Sequence, residues 1–103
     1  EPERKISFVL DTLFNEKIAP FVRNSNVLVC ESSFSSDLEK LAREYKHLTS
    51  KQAAEIAKKA NVGKLILTHL SQRYDNNRDK ILNEAKKIFR NAILAKDLDV
   101  VEV

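Results

Sequence analysis

Asp11, Glu31, His47 and His69 are the side chains of this sequence whose types and positions could do chemistry. Two imidazoles and two carboxylates suit either a zinc-type site or a pair for general acid and base work near neutral pH. Their placement is not scattered. Asp11 follows Phe8-Val9-Leu10, Glu31 follows Leu28-Val29-Cys30, and His69 follows the run from Leu65 to Thr68, so each stands at the end of a short apolar stretch. If those stretches are parallel strands, three capable side chains share one sheet edge, where open α/β folds bind ligands. His47 precedes a capping hydroxyl and could reach the same edge. Arg73-Tyr74, just beyond His69, could hold phosphate or pin a neighbouring loop. Each residue also has a structural reading: Asp11 and Glu31 as turn formers or caps, His69 as a hydrogen-bonded boundary residue, Cys30 as a small core residue.

The elements that must position these residues follow from periodicity. Lys5 to Leu10 is rich in β-branched and aromatic residues and predicts a strand. A short helix follows, with Leu13, Phe14, Ile18, Phe21 and Val22 on its apolar side and Pro20 near its end or kinking it. Val27-Leu28-Val29-Cys30 is a second strand. The hydroxyl-rich loop Ser32-Ser33-Phe34-Ser35-Ser36 leads into a helix through Leu38, Leu41, Ala42 and Tyr45, capped by Ser35 or Ser36. Thr49-Ser50-Lys51-Gln52 fits a capping box, and Ala53, Ile56, Ala57 and Ala60 then recur at helical spacing. Asn61 and Gly63, the single glycine, stop that helix before the strand Lys64 to Thr68. A helix from about Arg78 to Phe89 is followed by two short strands, Asn91 to Ala95 and Asp99 to Val103. The order is βαβααβαββ, an α/β layered arrangement with parallel pairing among the first three strands.

At 103 residues and 43% hydrophobic content, the chain has the size of one domain, 1–103, with enough apolar residues for a core. A net charge of +3 mildly favours polyanionic partners without establishing nucleic-acid binding. One cysteine excludes an internal disulfide framework and agrees with a reducing cytoplasm. No apolar run nears the about 20 residues needed to span a bilayer, so no membrane partner is expected. The sequence opens almost at once on a strand and contains no methionine, which leads us to expect a portion of a longer or processed chain.

Four elements together, Asp11-Thr12, Cys30-Glu31-Ser32-Ser33-Phe34, His47-Leu48-Thr49-Ser50-Lys51-Gln52-Ala53-Ala54 and Leu67-Thr68-His69-Leu70-Ser71-Gln72-Arg73-Tyr74, resemble the C-terminal part of the ribonuclease Z family. The resemblance covers nearly the whole chain. It implies the C-terminal half of a metallo-β-lactamase-type αββα sandwich that processes the 3′ end of precursor tRNA with two zinc ions. It further implies that Asp11 bridges the two zinc ions and His69 binds one. His47 is then the general acid, oriented by Glu31, while Thr49 and Arg73 are support or phosphate contacts. Leu10 stands where the family usually has glycine, Leu13-Phe14 where it has Arg-Pro-like residues, Cys30 where histidine is common, and Ser33 where threonine is common.

The family's His-x-His-x-Asp-His motif and a further histidine ligand lie upstream of this part and have no counterpart among these residues. The chain by itself is therefore expected to bind zinc weakly and not to cleave RNA, and to form a homodimer or pair with the N-terminal half. Two other readings stand beside this one: another hydrolase of the same superfamily, and a non-catalytic domain that docks on a partner or on itself.

Overall fold

The computed structural model describes residues 4–10, 12 and 14–95. Four parallel strands form one sheet in the order β1 (Ile6–Val9), β2 (Val27–Glu31), β3 (Lys64–Thr68), β4 (Ala92–Leu94). Between them run α1 (Ile18–Phe21), α2 (Glu39–Glu44), α3 (Ser50–Ala60) and α4 (Arg78–Lys86). Each connection between neighbouring strands carries a helix, as parallel pairing requires. The expected strand at Asp99 to Val103 lies outside the described residues, whereas β4 is present and extends the parallel sheet. Among the described residues, no helix is long and apolar enough to cross a membrane.

The register sorts the strand residues onto two faces. Val9, Leu28, Cys30, Leu65, Leu67 and Ala92 turn toward the helices and join Ile56, Ala57, Ala60, Ile81 and Ala85 in the main core. The alanines of α3 keep that helix close to β2 and β3, so it becomes the central member of the helix layer and touches α1 and α4 as well. On the opposite face Val27, Val29 and Ile66 form a small cluster, flanked by Phe8 and Ile93, which are 59% and 41% exposed. Among the described residues no helix packs on this second face.

The capping box forms as expected: the Gln52 amide N–H donates to Thr49 Oγ1 and the Thr49 N–H donates to Gln52 Oε1. Such a cap contributes about 1 kcal/mol. Of the two residues expected to stop α3, Asn61 does so. Asn61, in the left-handed region at φ 56, closes α3 with the paired bonds Val62 N–H to Ala57 O and Asn61 N–H to Lys58 O. Gly63 serves another purpose: a Cβ there would lie 2.7 Å from the Asn26 carbonyl oxygen, so the close approach of two loops demands glycine.

The first helix is a single turn, with Ile18, Ala19 and Val22 buried but Phe14 and Phe21 exposed. Pro20 lies within that turn, and its fixed φ and missing N–H oppose extension. The second helix begins as a 3-10 turn at Ser36–Leu38 before α2. Ser35 precedes that turn, but its hydroxyl bonds Tyr74 and Asp37 instead of capping. The fourth helix stops at Lys86, three residues before Phe89.

Candidate active-site edge

Glu31 is the last residue of β2 and is 1% exposed. His47 reaches it from the end of α2. There, Lys46 takes a left-handed φ of 59, and the bonds His47 N–H to Ala42 O and Lys46 N–H to Arg43 O form the paired closure that glycine usually permits. This closure ties the His47 backbone, and its ring Nδ1 then sits 2.8 Å from Glu31 Oε2. A carboxylate acceptor favours the tautomer with the proton on Nδ1, which leaves Nε2 for a substrate. Ring and carboxylate thus form an oriented hydrogen-bonded pair.

The serine-rich segment Ser32 to Ser35 is a buried hub rather than a surface loop. Ser32 N–H donates to Thr68 O, Ser33 N–H to Leu48 O, Ser50 N–H to Phe34 O and Ser71 N–H to Ser33 O. Ser35 N–H donates to the Tyr74 hydroxyl at 2.9 Å, so Tyr74 pins this segment. Ser33 Oγ lies 3.1 Å from Glu31 Oε2 and 2.9 Å from the His69 carbonyl, within reach of both the His47–Glu31 pair and the strand end that carries His69. Glu84, from α4, accepts from Ser36 N–H and Oγ at 2.9 and 2.6 Å and from Ser50 Oγ. One carboxylate therefore joins the hub to the first turn of α3. Glu84 carries no motif of its own, and Ser33 and Phe34 enter the sequence reading only through the family resemblance. Only the three-residue step from Thr49 to Gln52 in the capping box marks the α3 terminus in advance.

His69 leaves β3 with a left-handed φ of 56, a conformation in which histidine is enriched among non-glycine residues. Its side chain is exposed and has no hydrogen-bond partner among the described residues. Asp11 lies outside the described residues. Thr49 is fully buried as the α3 cap. Arg73 places its guanidinium carbon 5.3 Å from the centroid of the Phe34 ring, and that ring in turn stands 6.2 Å from the His47 ring at an angle of 60°. Cys30 is fully buried in the core, and burial, helped by the Glu31 charge, pushes its thiol pKa well up. Among the described residues no three His, Cys, Asp or Glu side chains come together as a metal cluster. They fit a contribution to a metal site through the open imidazole of His69, and not a complete one.

No family model matches the chain. Over 86% of its length it superposes on 36% of the metallo-β-lactamase fold protein YhfI from Bacillus subtilis, with a TM-score of 0.78 and 31% identity. Over 96% of its length it superposes on 33% of human tRNase Z, short form, with a TM-score of 0.72 and 26% identity. The architecture is that of a portion of the metallo-β-lactamase fold. In sequence, the chain is 48% identical over 99 residues to the ribonuclease Z of Oceanobacillus iheyensis, a match covering 95% of this chain and 32% of that protein. Along nearly its whole length the chain is similar to a C-terminal portion of ribonuclease Z, and it spans about a third of the length of the curated relatives it matches.

Proposed function

We propose that this chain supplies the proton-donating side of a metal-dependent phosphodiesterase that processes the 3′ end of precursor tRNA. The observation that carries this reading is the 2.8 Å contact between His47 Nδ1 and buried Glu31, which occupies Nδ1 and leaves Nε2 of the partly exposed ring for proton transfer. A protonated imidazole held this way donates from Nε2 to the leaving ribose oxygen, and the buried carboxylate supports the positive ring until the proton is given up. Ser33 steadies the accepting oxygen of Glu31, and Thr49 and Arg73 hold the surrounding backbone and Phe34 in place. Two zinc ions, when bound, would stabilise charge on the phosphoryl oxygens and lower the pKa of the attacking water. His69 and Asp11 are the ligands this chain would contribute, the others coming from beyond it. The exposed Phe8 and Ile93 on the second sheet face support pairing with the missing half or with a second copy. A cytoplasmic setting agrees with the free, buried Cys30.

The test is reconstitution of the chain with the N-terminal half, zinc and a precursor tRNA. Cleavage should appear in the assembly and not with the chain alone, and His47→Ala should lower the rate by about 10²–10⁴-fold. An unchanged rate in that variant would remove the acid role. Zinc content and mass in solution address the other reading: a metal-free self-associated chain that never gains activity is a docking domain.

A further inference from the structure

The His47 ring has two flanks, and the acid role uses neither. One is covered by Phe34 with Arg73 above it. The other opens on a cleft of about 180 Å³ lined by Phe14, Arg43, His47 and Gln52. Its volume lies below the about 300–1,000 Å³ of sites that enclose a whole drug-sized ligand, so it suits one planar ring with the rest of the ligand lying outside it. The lining specifies which kind. Phe14 presents a ring that is 44% exposed although it lies outside the core. Gln52 Oε1 is occupied by the Thr49 N–H, which fixes the side-chain amide and leaves its NH₂ as the donor toward a ligand. Among the described residues Arg43 pairs with Glu39 alone, at 3.6 Å between two well-exposed side chains. Pairs of that kind hold weakly, and a phosphate offers the guanidinium fork a better partner.

An aromatic wall, an amide donor and a guanidinium next to a proton-donating imidazole match the parts of a nucleotide. We propose that this cleft is a subsite for one unpaired nucleotide adjacent to the phosphate that His47 serves, its base stacked on Phe14 and its phosphate held by Arg43. The proposal rests on the RNA-cleaving reading of His47. It assigns the two cations on either side of that ring separate places: Arg73 behind Phe34, Arg43 inside the cleft. Stacking on aromatic side chains tolerates any base, so the subsite would select for an unpaired nucleotide more than for its identity.

Titrating the isotope-labelled chain with 5′-AMP and 5′-CMP, and separately with adenosine and inorganic phosphate, tests the subsite by NMR. Both mononucleotides should move the signals of Phe14, Arg43, His47 and Gln52, with adenosine and phosphate alone binding more weakly. Phe14→Ala and Arg43→Gln should each weaken mononucleotide binding by about tenfold, whereas the distant, exposed Arg90→Gln should not. Shifts confined to other residues, or binding unaffected by both cleft variants, overturn the proposal. In the reconstituted assembly the two cleft variants should raise KM and largely keep kcat. If cleavage depends on His47 while KM is unmoved, the subsite is wrong and the nuclease reading stands. If mononucleotides seat in the cleft but no cleavage depends on His47, the nuclease reading fails and the subsite survives as a nucleotide site.

Discussion

Replacing Glu84 by alanine should be among the most destabilising single changes made outside the apolar core. Its carboxylate accepts from the Ser36 N–H, the Ser36 hydroxyl and the Ser50 hydroxyl, joining α4 to the hub after β2 and to the first turn of α3. Hydrogen bonds to a charged group contribute about 1.5–3 kcal/mol each when protected from water. Glu84 is only half-buried, and the freed serine groups regain some water, so the three bonds do not add. A loss of about 2–3 kcal/mol is expected for Glu84→Ala, and roughly half that for Glu84→Gln, whose amide keeps one accepting oxygen. For a domain of this size that corresponds to a fall in Tm of about 10–20 °C for the alanine variant. Thermal and urea unfolding of the chain measure it. The diagnostic comparison is a cycle with Ser36→Ala and Ser50→Ala: once both hydroxyls are gone, Glu84→Ala should cost markedly less. A Glu84→Ala effect under about 0.5 kcal/mol, the range of ordinary surface substitutions, refutes the reasoning. So does a loss that is unchanged in the double-serine background.

Two further changes follow from the packing. Gly63→Ala forces a Cβ against the Asn26 carbonyl at 2.7 Å, so it should destabilise by about 1–3 kcal/mol, and a neutral result in urea unfolding would show that the two loops can separate freely. Because burial raises the Cys30 pKa, the folded thiol stays protonated where the unfolded one ionises. Unfolding therefore releases a proton above about pH 8.5, and this contribution to stability, complete below that pH, declines as the pH rises. A thiol reagent should label Cys30 at pH 8 only on unfolding, and rapid labelling of the native chain would contradict the burial.

Much of the scaffold was legible because local chemistry and global packing agree. Three apolar runs bounded by turn residues read as strands and are strands, and β3 spans Lys64–Thr68 as expected. The capping box was readable because both of its partners lie within one turn. Where reading failed, a backbone constraint or a distant contact overrode a local preference. Phe14 and Phe21 look like helix-core residues, yet Pro20 limits the helix to one turn and both rings face outward. Ser35 looks like a helix cap, but its hydroxyl is taken by Tyr74, 39 residues away.

The pairing of His47 with Glu31 was implied only by the family resemblance, but the sequence by itself determined the strand ends that carry Glu31 and His69 and the capped helix behind His47. Residue type and short-range periodicity suffice for those. Only the tertiary structure decided that Ser33 reaches both Glu31 and the His69 carbonyl, that Glu84 ties together three elements, and that Phe14, Arg43 and Gln52 share a cleft with His47. Such contacts join residues up to 48 positions apart, and side chains that far apart meet only when the parallel sheet brings its strand ends to one edge and lays α3 and α4 across it.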